Sequence, residues 1–417
     1  MTEPHTQPVN RSQGCLINAA VLVAACVVAL LLLEGGARLL LEAPPPAHSD
    51  FRTDHATRLW TNTPGLTQTI NLEEYGGLTE TQDGKTQFTV HHSEQGWRNA
   101  PIGPKQAGEY RILMLGDSFT WGYGVDDDET IPAALQRCLD ETQMDRPLTV
   151  INAGVLGYGP WQVRLLLEEE GLALQPDLVI LQTFTNNDFD DSLLQKGKYF
   201  RAYHEAKVER QHAFMRRRLW HVALQRTLRE HSRVYQTLVR ATDRENLLAN
   251  TLERIGLAPA DPHPLPPPSE DRNTEIESSL KEWYPELDEA WELFQNDVSA
   301  IARNCAARKI DFVVYCVPGM DYYFDPYWSE YTKNVGGDLY ERGKVLRLIE
   351  QFFADEKLPH VSVADALGNE DPLVYYQRWN KHLTVRGCDV AARQLCDFLR
   401  TKHWPARHAA GQSGDAP

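Results

Sequence analysis

The chain has 417 residues, 42% hydrophobic and 24% charged, with 42 basic residues against 58 acidic ones; this is the composition of a folded protein, not of a disordered or collagenous one. A net charge of −16 and a pI near 5.4 exclude general binding to nucleic acid, which needs a basic surface to release counterions from phosphate. Seven scattered cysteines with no C-x-x-C or Cys/His spacing exclude a zinc site and a disulfide framework. Cys388 and Cys396, on one predicted helix, are separated by about 12 Å of rise and cannot bridge each other.

A short tail (1–15) precedes an uncharged apolar run at 16–33, LINAAVLVAACVVALLLL, close to the length that spans the hydrocarbon core of a bilayer. Val23-Ala24-Ala25-Cys26 has the form of a lipoprotein cleavage box, but the apolar run continues beyond Cys26, so an uncleaved transmembrane anchor is expected. Arg11 and Arg38 nearly balance across it, and the expected orientation is a short inside tail with an exported body. For a bacterial cell this means a single-pass protein of the inner membrane with its catalytic domain on the periplasmic side.

A linker (34–58) containing Pro44 to Pro46 leads into a small β-rich segment at 59–107, with alternating stretches such as Gln87 to His92. No catalytic pattern occurs there. Then the period changes. Arg111–Leu115, Leu148–Ile151, Leu178–Leu181, Phe312–Tyr315 and His360–Val363 are short apolar runs, most of them followed by helical stretches. Continuously apolar strands alternating with helices predict a parallel sheet covered on both faces, hence an α/β domain over 108–402. The third and fourth strands are too far apart for a simple crossover, which places a helical and proline-rich insertion at about 195–275. An amphipathic helix over 276–308 follows, carrying Trp283, Leu287, Trp291 and Phe294, and 403–417 is expected to be a loose tail.

The first strand runs straight into Gly116-Asp117-Ser118. Ligands of open parallel sheets bind beyond the carboxyl ends of the strands, and a serine on that glycine-bounded turn projects its hydroxyl there as a nucleophile; such a triplet also forms ordinary turns and helix caps. The second strand ends in a glycine series that includes Gly154, Gly157 and Gly159, and the third in Asn186-Asn187-Asp188. Ser118, Gly157 and Asn187 are the candidate oxyanion-hole donors, although Gly157 and Asn187 equally suit turns. After the fifth strand, Asn380-Lys381-His382-Leu383-Thr384 offers His382 as general base toward Ser118, with Thr384 capping the last helix. No metal or other cofactor is expected.

With these four blocks in order, the sequence resembles the SGNH hydrolases, the GDSL-like lipase/esterase superfamily. Gly116-Asp117-Ser118 matches the first block, Gly157 the second, Asn187-Asp188 the third and His382 the last, over about 108–190 and 296–400. The resemblance implies a three-layer α/β/α flavodoxin-like sandwich with sheet order 2-1-3-4-5, and ester hydrolysis or acyl transfer without a metal. One departure stands out: the family usually carries an acid two or three positions before the histidine, where this chain has Asn380 and Trp379. Three readings follow. Asn380 orients His382 through its amide oxygen, or the site is a bare dyad; Asp371 or Asp365 reaches in from elsewhere; or the enzyme is weak or inactive. The stretch from Asn380 to Gly387 also resembles that of the alginate O-acetylation factors, which implies acyl groups on an exported polysaccharide as substrate.

Between Lys196 and Arg244 lie thirteen basic residues, a local reversal of the overall charge. They form either a solvated helix face or a surface for anionic lipid headgroups or an acidic polysaccharide. For the whole chain, the expected function is a membrane-anchored Ser-His esterase of O-acylated carbohydrate. The alternatives are an O-acetyltransferase of the same fold and a non-catalytic scaffold or carbohydrate-binding subunit.

Overall fold

The computed structural model describes residues 11–40, 51–72, 84–141, 146–196, 228, 231–242, 274–332, 337–367, 371–378 and 380–402. They fall into two compact units, one drawn from 1–47 and 211–264, the other from 48–210 and 265–417.

The larger unit opens with two antiparallel hairpins, β1 (Arg52–His55) with β2 (Leu59–Asn62) and β3 (Thr67–Asn71) with β4 (Gln87–His91). The five apolar runs then form one parallel sheet: β5 (Tyr110–Gly116), β6 (Leu148–Gly154), β7 (Leu178–Phe184), β8 (Asp311–Val317) and β9 (His360–Ser362), in the order β6-β5-β7-β8-β9. This is the 2-1-3-4-5 order that the resemblance implied. All of β5 is buried, because consecutive side chains go to opposite faces and both faces are covered. Leu113, Leu115, Ile151, Val179 and Leu181 share one core. Ile112, Met114, Val150 and Ile180 share the other.

Between the strands run α2 (Ser118–Trp121), α3 (Ile131–Asp140), α4 (Pro160–Glu169), α5 (Asp188–Asp191), α7 (Pro285–Ala307), α8 (Met320–Tyr323), α9 (Asp325–Thr332) and α10 (Lys344–Asp355), and the unit ends on α11 (Val385–Thr401). Helices α4, α7 and α10 cover the first face with Trp161, Phe294 and Phe353; α3 and α11 cover the second with Leu135, Leu139, Leu395 and Leu399. The result is an α/β/α sandwich. Helix α7 starts at Pro285, which suits the first helical turn because the N–H it lacks would have no intrahelical partner there. The preceding 274–279 forms a 3₁₀ turn, so the amphipathic helix is shorter than its sequence pattern suggested.

One expectation is corrected. Cys396 does not reach Cys388, but it is bonded to Cys138 of α3, with Cα atoms 6.4 Å apart. The partners are 258 positions apart in sequence and meet because α3 and α11 lie side by side on one face of the sheet. The sequence reading set disulfides aside, whereas the structure holds a bridge between α3 and α11.

The smaller unit contains α1 (Arg11–Leu40) and α6 (Arg233–Thr242). Glu34 accepts hydrogen bonds from the backbone N–H groups of Arg233 (2.8 Å) and Val234 (3.2 Å) and from Ser232 Oγ (2.8 Å). Its carboxylate thereby serves the otherwise unpartnered donors at the start of α6. The expected anchor at 16–33 falls on α1, where several side chains, those of 16, 17, 19, 20, 23, 26 and 27 among them, lie outside the described residues. Among the described residues no helix is long and apolar enough to cross a membrane. The proline-rich stretch, the tail from 403, and Arg216, Arg217 and Arg218 also lie outside the description.

Candidate active site

Strand β5 delivers the chain to the carboxyl edge of the sheet, and Asp117 starts α2 there by accepting a hydrogen bond from Phe119 N at 2.8 Å. Gln182 on β7 holds the same turn, its Oε1 accepting from Asp117 N (3.2 Å) and Thr120 Oγ1 (3.0 Å). Asp117 and Phe119 are buried while Ser118 between them keeps accessible surface, so the turn exposes one hydroxyl and packs its neighbours. Gly154 at the end of β6 lies against the backbone of α2. A Cβ there would fall 2.2 Å from Trp121 N, so only glycine allows the approach.

The segment at 59–107 proves to be a buttress for this turn. Arg98, fully buried, donates through Nη1 to the carbonyls of Trp121 (2.8 Å) and Gly122 (2.6 Å) and through Nη2 to Val125 (2.7 Å). Its Nε pairs with Asp127 at 2.7 Å. Asn62 donates to the carbonyl of Gly154 at 2.9 Å. Neither residue carries a sequence signal, since both act on main-chain carbonyls.

His382 sits on a tight excursion before α11. Gln377 N donates to His382 O (2.6 Å), Lys381 N to Gln377 O (2.8 Å) and Thr384 N to Tyr375 O (2.8 Å). Lys381 has φ +63°, a left-handed conformation uncommon outside glycine. Thr384 caps α11, as expected, accepting from Gly387 N. The imidazole lies between Phe119 (centroids 4.8 Å apart) and Tyr123 (5.0 Å), and its Nε2 is 2.7 Å from Ser118 Oγ. Residues 264 positions apart thus meet at the strand ends.

The other ring nitrogen, Nδ1, is 2.8 Å from the main-chain carbonyl oxygen of Asn380. A carbonyl only accepts, so Nδ1 carries the proton and Nε2 presents its lone pair to the serine hydroxyl. This corrects the expectation for Asn380: its amide oxygen accepts instead from His382 N at 2.9 Å, and the backbone orients the ring. The left-handed turn at Lys381 brings the carbonyl, rather than the side chain, under Nδ1. Asp371 does not reach the ring; its carboxylate caps its own 3₁₀ turn at Leu373 N (3.0 Å). The side chain of Asp365 lies outside the described residues. Among the described residues no carboxylate pairs with His382.

Dense packing around the ring disfavours the charged imidazolium and pushes the His382 pKa down from 6.5 to about 4, against the raising effect of the Asn380 carbonyl. Burial also raises the Asp117 carboxyl to about 7, with the negative Asp191 acting in the same direction.

Gly157 and Asn187 stand at the ends of β6 and β7, the strands on either side of β5. Gly157 has φ +74°. The carbonyl of the preceding Leu156 accepts from Trp60 Nε1 at 2.8 Å and Arg52 Nη1 at 3.3 Å, which turns the Gly157 N–H to the opposite side of that peptide. Asn187 Nδ2 donates to Asp191 Oδ2 at 2.5 Å. An amide nitrogen has two donors, so this bond fixes the group while leaving one N–H for a ligand. Asp191 was not singled out from the sequence, although its i, i+4 spacing from Asn187 was a usable signal.

A hydroxyl beside a neutral imidazole can add to an acyl carbonyl, and amide donors at the ends of the two neighbouring strands are of the type that holds the resulting oxyanion. Comparison with known proteins agrees with that chemistry: residues 114–308, just under half of the chain, match the model of the GDSL-like Lipase/Acylhydrolase family. The match includes Ser118, Gly157 and Asn187 and ends before His382, whose place rests on geometry. No curated protein matches the chain. Similar solved structures include a GDSL-like lipase from Bacteroides thetaiotaomicron (12% identity, covering 72% of this chain and 93% of that one, TM-score 0.36). A lipase/acylhydrolase from Enterococcus faecalis (13%, 70% and 96%, 0.37) is another, as is a catalytic mutant of an acetylxylan esterase from Geobacillus stearothermophilus (12%, 72% and 96%, 0.37).

Proposed function

We propose, from the match of residues 114–308 to the model of the GDSL-like lipase/acylhydrolase family, an ester-hydrolysing family, that the chain is a membrane-anchored serine esterase removing short acyl groups, O-acetyl above all, from an exported carbohydrate. The observation that carries the reading is the 2.7 Å contact between Ser118 Oγ and His382 Nε2, with Nδ1 fixed by a carbonyl.

Ser118 Oγ attacks the ester carbonyl as its proton passes to Nε2. The tetrahedral oxyanion is met by the Asn187 amide and the N–H groups of Gly157 and Ser118, each worth about 2.7–4 kcal/mol if removed. Imidazolium then protonates the leaving sugar oxygen, and a water, deprotonated by the same nitrogen, releases the acyl group from Ser118. The carbonyl of Asn380 holds the tautomer through both halves. As a dipole it stabilises the imidazolium less than a carboxylate would.

Two features support export. The 16–33 run has the length and apolarity of an anchor, and the Cys138–Cys396 bridge is of a kind that persists in oxidising compartments such as the periplasm. The carbohydrate substrate rests on the resemblance to polysaccharide O-acetylation factors. Labelling with a fluorophosphonate, together with turnover of 4-nitrophenyl acetate, tests the chemistry. Ser118→Ala is expected to abolish both, and His382→Ala to lower turnover by at least ~10³; either variant retaining wild-type turnover would remove that residue from the mechanism.

A further inference from the structure

Beyond the carboxyl ends of β8 and β9, on the same edge of the sheet as Ser118, lies a cavity of 780 Å³ that the acyl-transfer chemistry does not use. Its size falls in the range of small-molecule sites, about 300–1,000 Å³. One wall is α8, with Tyr322 and Tyr323 edge to face at 4.8 Å. The other is the segment carrying Tyr375 and Tyr376. Polar groups stand among the rings: Arg342, which pairs with Asp325 at 2.5 Å, and the exposed Asp371.

Both walls are tied to the catalytic groups. Tyr376 forms a β-bridge with Leu383, next to His382, and its hydroxyl donates to Pro318 O at 2.7 Å. On the other side, Asp321 of α8 accepts from Asn186 Nδ2 at 2.8 Å, one residue before Asn187. A ligand seated in the cavity therefore touches the segment that leads into His382 and a helix bonded to the residue before Asn187.

The lining selects among occupants. An acyl chain would bury apolar surface against the rings but would strip water from the Arg342–Asp325 pair and from the Asp371 carboxylate without offering hydrogen bonds in its place, which is costly. A sugar ring presents C–H faces to aromatic rings and hydroxyls to charged groups at its edge, which is the pattern of this cavity. We propose that the cavity is a subsite for a neutral glycosyl unit of the substrate, held by Tyr322 and Tyr375 with Asp371 and Arg342 on its hydroxyls. The inference rests on the esterase reading for its role in turnover, but not for binding itself.

The test uses the full chain and a panel of neutral tetrasaccharides (gluco-, manno- and xylo-), each with and without partial O-acetylation. For at least one acetylated member, Tyr322→Ala and the milder Asp371→Asn are expected to raise KM at least fivefold relative to their effect on 4-nitrophenyl acetate, with kcat little changed. The same unacetylated sugar should bind wild type saturably by calorimetry and bind Tyr322→Ala at least fivefold more weakly. If both variants shift all substrates by one factor, or if the selective loss falls on octanoyl esters, the subsite is wrong. Failure of wild type to turn over 4-nitrophenyl acetate would instead strike the esterase reading, and the calorimetric arm would still decide the subsite.

Discussion

Replacing Asn380 by alanine separates the two ways in which this residue meets the histidine. The variant keeps the main-chain carbonyl 2.8 Å from Nδ1 and removes only the amide oxygen that accepts from His382 N. A net hydrogen bond of that kind contributes about 0.5–1.5 kcal/mol. At 1.36 kcal/mol per tenfold in rate, kcat/KM for a short acyl ester should fall about two- to thirteenfold. Were the side chain the orienting group, as the sequence suggested, its loss would resemble loss of the triad acid in serine proteases, about 10⁴ in kcat. The assay is steady-state turnover of 4-nitrophenyl acetate, with thermal unfolding measured alongside to exclude loss of fold. A drop of 10³ or more in a variant that melts with wild type would refute the carbonyl as the orienting group.

Three further expectations follow from the same geometry. Because only neutral His382 accepts the serine proton and its pKa is lowered to about 4, kcat/KM should stay level from neutrality down to about pH 5 and fall below that; Asn380→Asp, by placing an opposite charge nearby, should move this limb upward by about 1–3 pH units, and a wild-type limb near 6.5 would contradict the assignment. Reduction of Cys138–Cys396, or Cys138→Ser, should cost about 2–4 kcal/mol, seen as a fall in Tm of roughly 5–15 °C; no change on adding reductant to the oxidised protein would argue against the bridge. Gly154→Ala forces a Cβ onto the backbone of Trp121, so circular dichroism melting should show a loss of about 1–3 kcal/mol or more together with lost fluorophosphonate labelling, whereas wild-type behaviour would mean that β6 does not support the turn.

What was legible in the sequence was whatever leaves a side-chain pattern. The five parallel strands announced themselves because burial on both faces makes every position apolar, and β5 is buried along its whole length. Ser118 was visible because a polar residue follows such a strand on a glycine turn, and His382 because it precedes a Thr-capped helix. The sheet order came from the resemblance alone, since nothing local encodes which strand neighbours which. Arg98 supports the nucleophile through three main-chain carbonyls, and any residue type can supply those, so no motif marks the contact. The Cys138–Cys396 bridge depends on α3 and α11 lying together, a packing fact that spacing along one helix cannot reveal.

The same reasoning explains why the missing acid misled. Sequence reports which side chain stands two positions before the histidine, and an asparagine there reads as a weakened triad. The backbone conformation at Lys381 decides instead which oxygen lies under Nδ1, and with φ at +63° it selects the carbonyl, an acceptor that every residue possesses. The tautomer is therefore held without a carboxylate, and a positively charged ring is not favoured at rest, in keeping with the lowered pKa. Such an arrangement keeps the base neutral over a wide acidic range and gives up part of the charge stabilisation in the transition state. Orientation and charge stabilisation, which one aspartate supplies together in serine proteases, are separable here, and among the described residues only the first has a partner for His382.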